Sequence, residues 1–210
     1  MSEIREFPRV GFGTAGIARP RSDAELSASP VSEAEGMATL ATAWDEGLRW
    51  FDTAPFYGQG RAERMLGAFL RGRPRGEYLL TTKVGRIIRD GAAIFDFSAD
   101  GIRRSLDASL RRLGVDRVDV ILLHDPDDHL NQAVAESWPT MQSLRNESIV
   151  GGIGIGVTRL TTATTLIERI DPAMLLLAER YSLLDPSAAD RLLPLCQRRG
   201  IDVVIAGAAG

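Results

Sequence analysis

Cysteine is almost absent from this sequence. Cys196 stands alone among 210 residues, which excludes an intramolecular disulfide and suits a reducing, cytoplasmic setting. Its neighbourhood, Leu193-Pro-Leu-Cys-Gln-Arg-Arg199, reads as helix, where a lone thiol is ordinarily inert packing. Excess positive charge is missing too: 25 basic residues face 28 acidic ones, for a net charge of −3. No overall field draws the chain to phosphate backbones or anionic lipid, so nucleic acid and membranes are not expected partners. No apolar run approaches the roughly 20 residues that span a bilayer. The opening Met-Ser-Glu-Ile-Arg-Glu has no apolar signal core. No low-complexity or linker-like stretch divides the chain.

What is there is ordinary for a soluble globular enzyme: 44% hydrophobic and 25% charged residues. The length allows one sizeable core. Short apolar runs at Val10–Gly13, Trp50–Thr53, Tyr78–Val84, Val118–His124, Val150–Val157, Met174–Ala178 and Val203–Ala206 alternate with helix-period segments. Most runs are apolar throughout, as strands covered on both faces require. One helix is expected to open at Ser32-Glu-Ala-Glu35, a capping-box pattern, with Met37, Leu40, Ala41, Trp44 and Leu48 on one face. A second opens near Ser98, carries Ile102, Leu106, Leu110 and Leu113, and stops at Gly114. A third is expected from about Ser187 to Gly200, and the Pro/Ser-rich segment Arg19–Ser32 reads as one long loop. Repeated strand–helix units without a linker imply a single α/β domain over residues 1–210.

Barrel and open sheet are separated by the first glycines. Gly11-Phe-Gly13-Thr-Ala-Gly16 matches a dinucleotide fingerprint, which needs a long helix starting at the glycines. Pro20 forbids an immediate long helix, and the next strand lacks an acidic end at the required distance. A (β/α)8 TIM barrel is the better account. Because the sequence stops at the end of the seventh strand, the eighth βα unit is expected to be missing, leaving open apolar edges that invite self-association.

The chemistry sits at successive strand ends. Asp52 closes one strand and is followed by Tyr57-Gly58; Lys83 closes the next; His124 closes another. Singly, each has an ordinary explanation as a cap, a solvated cation, a core imidazole or a turn. Jointly, an acid, a phenol, a cation and an imidazole converge on the C-terminal face of a parallel barrel, where catalytic side chains gather. His124-Asp-Pro-Asp-Asp-His129 is rich in ligand types but is a strand end and a turn, not a helix presenting two ligands, so no metal is expected. Phe56, Ile87, Phe95 and Phe97 are expected on loops that could wall a pocket.

Phe51-Asp-Thr-Ala-Pro-Phe-Tyr-Gly58, Thr82-Lys-Val-Gly85, Arg111-Arg-Leu-Gly-Val-Asp-Arg-Val-Asp119 and Leu122-Leu-His-Asp-Pro-Asp-Asp-His129 resemble the aldo-keto reductase family. Asp100-Gly-Ile-Arg-Arg-Ser-Leu106, Asp125–His129 and Leu176-Leu-Ala-Glu-Arg-Tyr-Ser-Leu-Leu184 resemble, within it, the aldose 1-dehydrogenase branch. The resemblance implies a catalytic tetrad of Asp52, Tyr57, Lys83 and His124, with NAD or NADP as cofactor and a small carbonyl compound or sugar as substrate. In such a site Lys83, held by Asp52, would favour ionisation of the Tyr57 phenol, so that Tyr57 moves the proton while His124 orients the reacting oxygen. The same resemblance points to Gly13, Thr14 and Asp52 for cofactor contacts, with Thr158 where the family places an asparagine. It further suggests an aldose such as L-fucose, L-galactose or D-arabinose, with an aldehyde or pyridoxal-type substrate as the alternative. Glu179, near the expected nicotinamide, is expected either to disfavour the cofactor or to pair with Arg180 or Arg159.

Overall fold

A computed structural model of the chain describes residues 7–18, 31–89 and 92–207. From β1 (Phe12–Gly13) and a short helix α1 (Ala15–Ala18), the order continues with α2 (Glu33–Asp45), β2 (Trp50–Asp52), α3 (Arg61–Leu70) and β3 (Leu79–Val84). An antiparallel hairpin of β4 (Arg86–Arg89) and β5 (Ala92–Phe95) precedes α4 (Ala99–Leu113) and β6 (Val118–His124). Helix α5 (Leu130–Gln132), a π-turn at Ala133–Ser137 and α6 (Trp138–Asn146) lead to β7 (Val150–Val157). The described order ends with α7 (Leu160–Arg169), β8 (Met174–Ala178), α8 (Leu192–Arg199) and β9 (Asp202–Ala206).

Seven of these strands form one parallel sheet in the order β1-β2-β3-β6-β7-β8-β9. Its two apolar layers show how it curls. Outward-facing Phe51, Leu80, Ile121, Leu123, Ile155 and Leu177 join the helices in the larger core. Inward-facing Val120, Leu122, Met174 and Leu176 form a second, smaller cluster with Phe7, Val204 and Ala206. Burial on both faces is the signature of a parallel sheet wrapped toward a (β/α)8 barrel, with side chains filling its interior.

Glycines on the inner face of β7 make room in that interior. A Cβ on Gly154 would stand 2.3 Å from the Met174 carbonyl and 2.8 Å from Leu122, and one on Gly156 would lie 3.5 Å from Lys83 Cε. The absence of side chains at these positions lets Leu122 and the Lys83 stem occupy the barrel centre. Gly67 does the equivalent between helices: its Cβ would meet Leu113 O at 2.5 Å, so α3 and α4 pack backbone to backbone.

The strands β6, β7 and β8 coincide end to end with the expected apolar runs. Ser32 caps α2 with a full capping box, and Ser98 caps α4, which ends on left-handed Gly114. Three expectations need correction. Strand β1 is only Phe12–Gly13, since Val10 lies 62% exposed, outside the ladder. Helix α8 begins at Leu192, not Ser187, because the Asp185 carboxylate captures the Ser187 N–H at 3.0 Å and holds the preceding residues in turns. Ile87 and Phe95 are strand residues of the β4–β5 hairpin, not loop residues, while Phe97 is fully buried against Gly85 in the core. Most of the expected loop Arg19–Ser32, namely residues 19–30, lies outside the described residues.

Candidate active site

Parallel register brings the strand-end side chains together. Asp52 pairs with Thr81 across β2 and β3, so Lys83 stands two residues further along its strand on the same inward face. Its long stem folds back across that offset: Nζ reaches Asp52 Oδ2 at 2.5 Å and donates to the Thr53 carbonyl at 3.1 Å. His124, at the end of β6 opposite Gly156, faces the same space. Tyr57 enters from the turn after β2, its ring centroid 4.8 Å from Lys83 Nζ and 6.0 Å from the His124 ring, nearly perpendicular to it. The four side chains inferred from the sequence thus form one cluster.

Its electrostatics follow from burial. Burial pushes the Asp52 carboxyl up, against the opposing field of Lys83. The same burial pulls Lys83 down, but Asp52 and the Tyr57 hydroxyl outweigh it, and its net shift is upward. Lys83 therefore keeps its proton at neutral pH, a buried ammonium held by one carboxylate and presented to one phenol. It is also the only lysine in the chain; the other 24 basic residues are arginines. Burial, reinforced by the positive charges of Lys83 and Arg86, drives His124 well below its ordinary value of 6.5. The imidazole is neutral at pH 7 and can both donate and accept.

Two further residues belong to the site. Arg86, the first residue of β4, lays its guanidinium 3.6 Å over the Phe56 ring and donates to Asp125 at 2.9 Å. Asp125 lies 3.7 Å from His124 Nε2, and burial raises its carboxyl against the pull of Arg86 and a hydrogen bond from the Thr158 backbone N–H. Sequence reasoning missed Arg86 because its contacts come from a hairpin absent from the strand pattern. The signal that could have found it is its position three residues after Lys83. Of the expected aromatic wall, only Phe56 faces the imidazole, 6.1 Å away; Phe95 stacks instead on Phe97 and on His129.

Unpartnered polar atoms mark the same end of the barrel. Among the described residues, buried side-chain donors and acceptors without a hydrogen bond include Thr14 Oγ1, Asp52 Oδ1, Thr53 Oγ1, Arg86 Nε and His124 Nδ1. Such groups cost free energy unless a ligand or water meets them. Backbone strain collects here as well: Gln59, Asp125 and Glu179, all non-glycine residues of positive φ, lie in loops after β2, β6 and β8.

The positions implied for the cofactor are arranged compatibly. Thr14 is buried, its N–H donates to the Asp52 carbonyl at 2.9 Å, and its hydroxyl is one of the unpartnered groups. Gly13 is exposed beside it, with open space where a Cβ would project. Thr158 follows β7; its carbonyl accepts from Arg180 Nε at 3.1 Å. The unpartnered Thr14 hydroxyl and the open space at Gly13 fit a polar ligand at the strand ends. The pairing expected of Glu179 is not formed: Arg180 pairs with Asp185 and Arg159 with Asp127, and no ion pair to Glu179 is found among the described residues. The turn at Asp185 competes successfully for Arg180.

Comparison with known proteins gives a consistent picture. The family described as "Aldo/keto reductase family" matches residues 9–210. The chain is 36% identical to the D-threo-aldose 1-dehydrogenase of a Pseudomonas species over 95% of its own length and 65% of that protein's. It is 33% identical to the pyridoxal 4-dehydrogenase of Microbacterium luteolum over 98% of itself and 70% of the relative. Among solved structures, an aldo-keto reductase from Klebsiella pneumoniae in complex with NADPH superposes with a TM-score of 0.71 at 26% identity, covering 93% of this chain and 62% of that one. The chain thus spans just under two thirds of the length of the Pseudomonas and Klebsiella proteins.

Proposed function

The chain belongs to the aldo/keto reductase family, and on that premise we propose that its strand-end cluster serves an NAD(P)-dependent oxidoreductase, an aldose 1-dehydrogenase that interconverts a sugar hemiacetal and its lactone. The observation that carries this reading is the single buried lysine clamped 2.5 Å from Asp52 with its ammonium 4.8 Å from the Tyr57 ring.

When bound, the nicotinamide takes or supplies the hydride; the chain's residues do the rest. Lys83, fixed by Asp52, places a positive charge beside the Tyr57 phenol, where the proton is exchanged. Tyr57 then removes the hydroxyl proton in oxidation or returns it to the carbonyl oxygen in reduction. Neutral His124 offers a hydrogen bond to the same oxygen and fixes its direction. Thr14, Gly13, Asp52 and Thr158 would hold the cofactor across the strand ends. Arg86, with an unpartnered Nε and a guanidinium already anchored on Asp125, gives a donor to ring hydroxyls, while Phe56 backs a sugar face.

The relatives support a sugar: the Pseudomonas protein is named for D-threo-aldoses. The aromatic wall of Phe56 with its stacked guanidinium also suits a flat heteroaromatic aldehyde, and the pyridoxal 4-dehydrogenase relative makes that the second reading. Fluorescence titration with NADH and NADPH, followed by steady-state assays with L-fucose, L-galactose, D-arabinose and pyridoxal, separates the cases. Sugar-dependent reduction of NAD+ or NADP+ is expected. Activity on aromatic aldehydes alone would replace the sugar reading, and failure to bind either cofactor would show that this polypeptide is not by itself an enzyme.

A further inference from the structure

The opposite end of the barrel carries a cavity of a different character. It has a volume of about 630 Å³, within the usual range for small-molecule sites. It lies between the C-terminal turns of α3 and α4, over Tyr78 and the start of β6, far along the strands from the catalytic end. Seven of its lining residues are arginines, and Asp116 is the lone carboxylate among them.

Most of this charge has no internal use. Arg71, Arg111 and Arg117 make no side-chain hydrogen bond or ion pair among the described residues, and Arg64 reaches only the Gln59 carbonyl at 3.3 Å. Arg75 is spent on Asp119 and Arg112 on buried Glu63, both at 2.6 Å. Even so, Arg75 keeps a buried Nε without a partner. Counting Asp119 and Glu63 as well as Asp116, seven guanidiniums face three carboxylates, leaving four uncompensated positive charges.

Arginines at helix ends have a local use, since they complement the partial negative charge of terminal carbonyls. That charge is about half a unit per helix, so two helices offset roughly one of the four. The carbonyls are moreover already occupied: Leu110 O accepts from the N–H groups of Gly114 and Val115, Gly67 O from Arg71, and Phe69 O from the Arg73 guanidinium. A chain with a net charge of −3 that concentrates unpaired guanidiniums around one concave site has built a local positive field that its overall charge conceals.

We propose that this cavity binds a small polyphosphate, a ligand carrying two or more adjacent phosphate groups. Planar guanidiniums match phosphate oxygens bidentately, and several converging on one concavity favour a compact multiple anion over a single carboxylate. Leu70, Leu113 and Val115 in the lining give an apolar shoulder that accommodates a nucleoside attached to the phosphates.

Calorimetric titration of the full chain with inorganic pyrophosphate and with ATP tests the site. The expected result is one saturable site for at least one probe, weakened by added salt. The triple variant Arg71→Ala/Arg111→Ala/Arg117→Ala should lose affinity at least tenfold, with NADPH binding at the catalytic end unchanged. Binding of ATP but not pyrophosphate would identify a nucleotide ligand; pyrophosphate alone would identify a free polyphosphate. A control triple, Arg145→Ala/Arg169→Ala/Arg198→Ala, removes the same charge away from the cavity and should bind normally. Absence of saturable binding, or equal loss in both triples, would overturn the proposal, as would affinity for long RNA without affinity for either small probe.

Discussion

At the residue scale, the site works by contrast between groups that share one buried space. Lys83 stays charged because Asp52 and Tyr57 outweigh its burial, whereas His124, with no close carboxylate on Nδ1, is driven neutral by the same burial. Replacing Tyr57 with Phe removes only the hydroxyl and should lower turnover by roughly 10²–10⁴-fold, the usual value of a positioned proton donor. NADPH fluorescence titration of that variant should remain unchanged; a loss of cofactor binding instead would assign Tyr57 a structural role. The neutral histidine also has a signature in stability. Its folded pKa lies below the unfolded value of 6.5, so as pH falls below 6.5 the unfolded chain takes up a proton that the folded one refuses. Stability should therefore decline as pH drops from about 6.5 toward the folded pKa, by up to about 1.4 kcal/mol per pH unit. Urea denaturation across this window should show the slope in the native protein and a shallower one in His124→Gln. That these four side chains share one end of the barrel was legible from residue types at strand ends. Arg86 and Asp125 were not given roles, because their contacts arise between a hairpin and a strand end with no shared sequence period.

At the scale of elements, α3 and α4 are coupled to the sheet through one buried acid. Glu63 is fully buried, accepts from Thr82 Oγ1 at 2.7 Å and pairs with Arg112 at 2.6 Å, joining both helices to β3 next to Lys83. Glu63→Ala leaves a threonine hydroxyl and a guanidinium without their partner and should cost about 3 kcal/mol, the lower part of the range for breaking a buried pair, because Arg112 can turn to water. Chemical denaturation measures this, and Glu63→Gln, which can keep the Thr82 bond, should cost less. Helix α4 is also pinned locally: the Ser98 hydroxyl accepts from Gly101 N–H at 3.0 Å. Ser98→Ala should remove about 1 kcal/mol in the same experiment. This cap and the capping box at Ser32 were readable because an N-cap serine ahead of a helical stripe is a short-range pattern. The late start of α8 was not, since it depends on side-chain capture by Asp185 overriding helical periodicity.

At the scale of the molecule, the two ends of the barrel differ in character: a desolvated cluster of Asp52, Tyr57, Lys83 and His124 at the strand C-termini and an arginine-lined cavity at the N-termini. Among the described residues β1 pairs only with β2 and β9 only with β8, and the loop after β8 exposes Leu183 and Leu184 almost completely. We propose self-association of this polypeptide through these apolar surfaces. Sedimentation velocity should show a concentration-dependent rise in mass at micromolar protein, reduced by Leu183→Glu/Leu184→Glu; an unvarying monomer would remove the idea.

The sequence by itself determined the strand–helix alternation, the parallel barrel class and the placement of Asp52, Lys83 and His124 at strand ends with Tyr57 just after one, because these depend on short-range periodicity and on residue types at strand ends. Only the tertiary structure decided which groups meet. Lys83 reaches Asp52 across a register offset, Arg86 reaches Asp125 from a hairpin, and arginines from two helices and two turns close around one cavity. Contacts between segments far apart in the chain are fixed by strand register and helix packing, and neither is written in any local stretch of sequence.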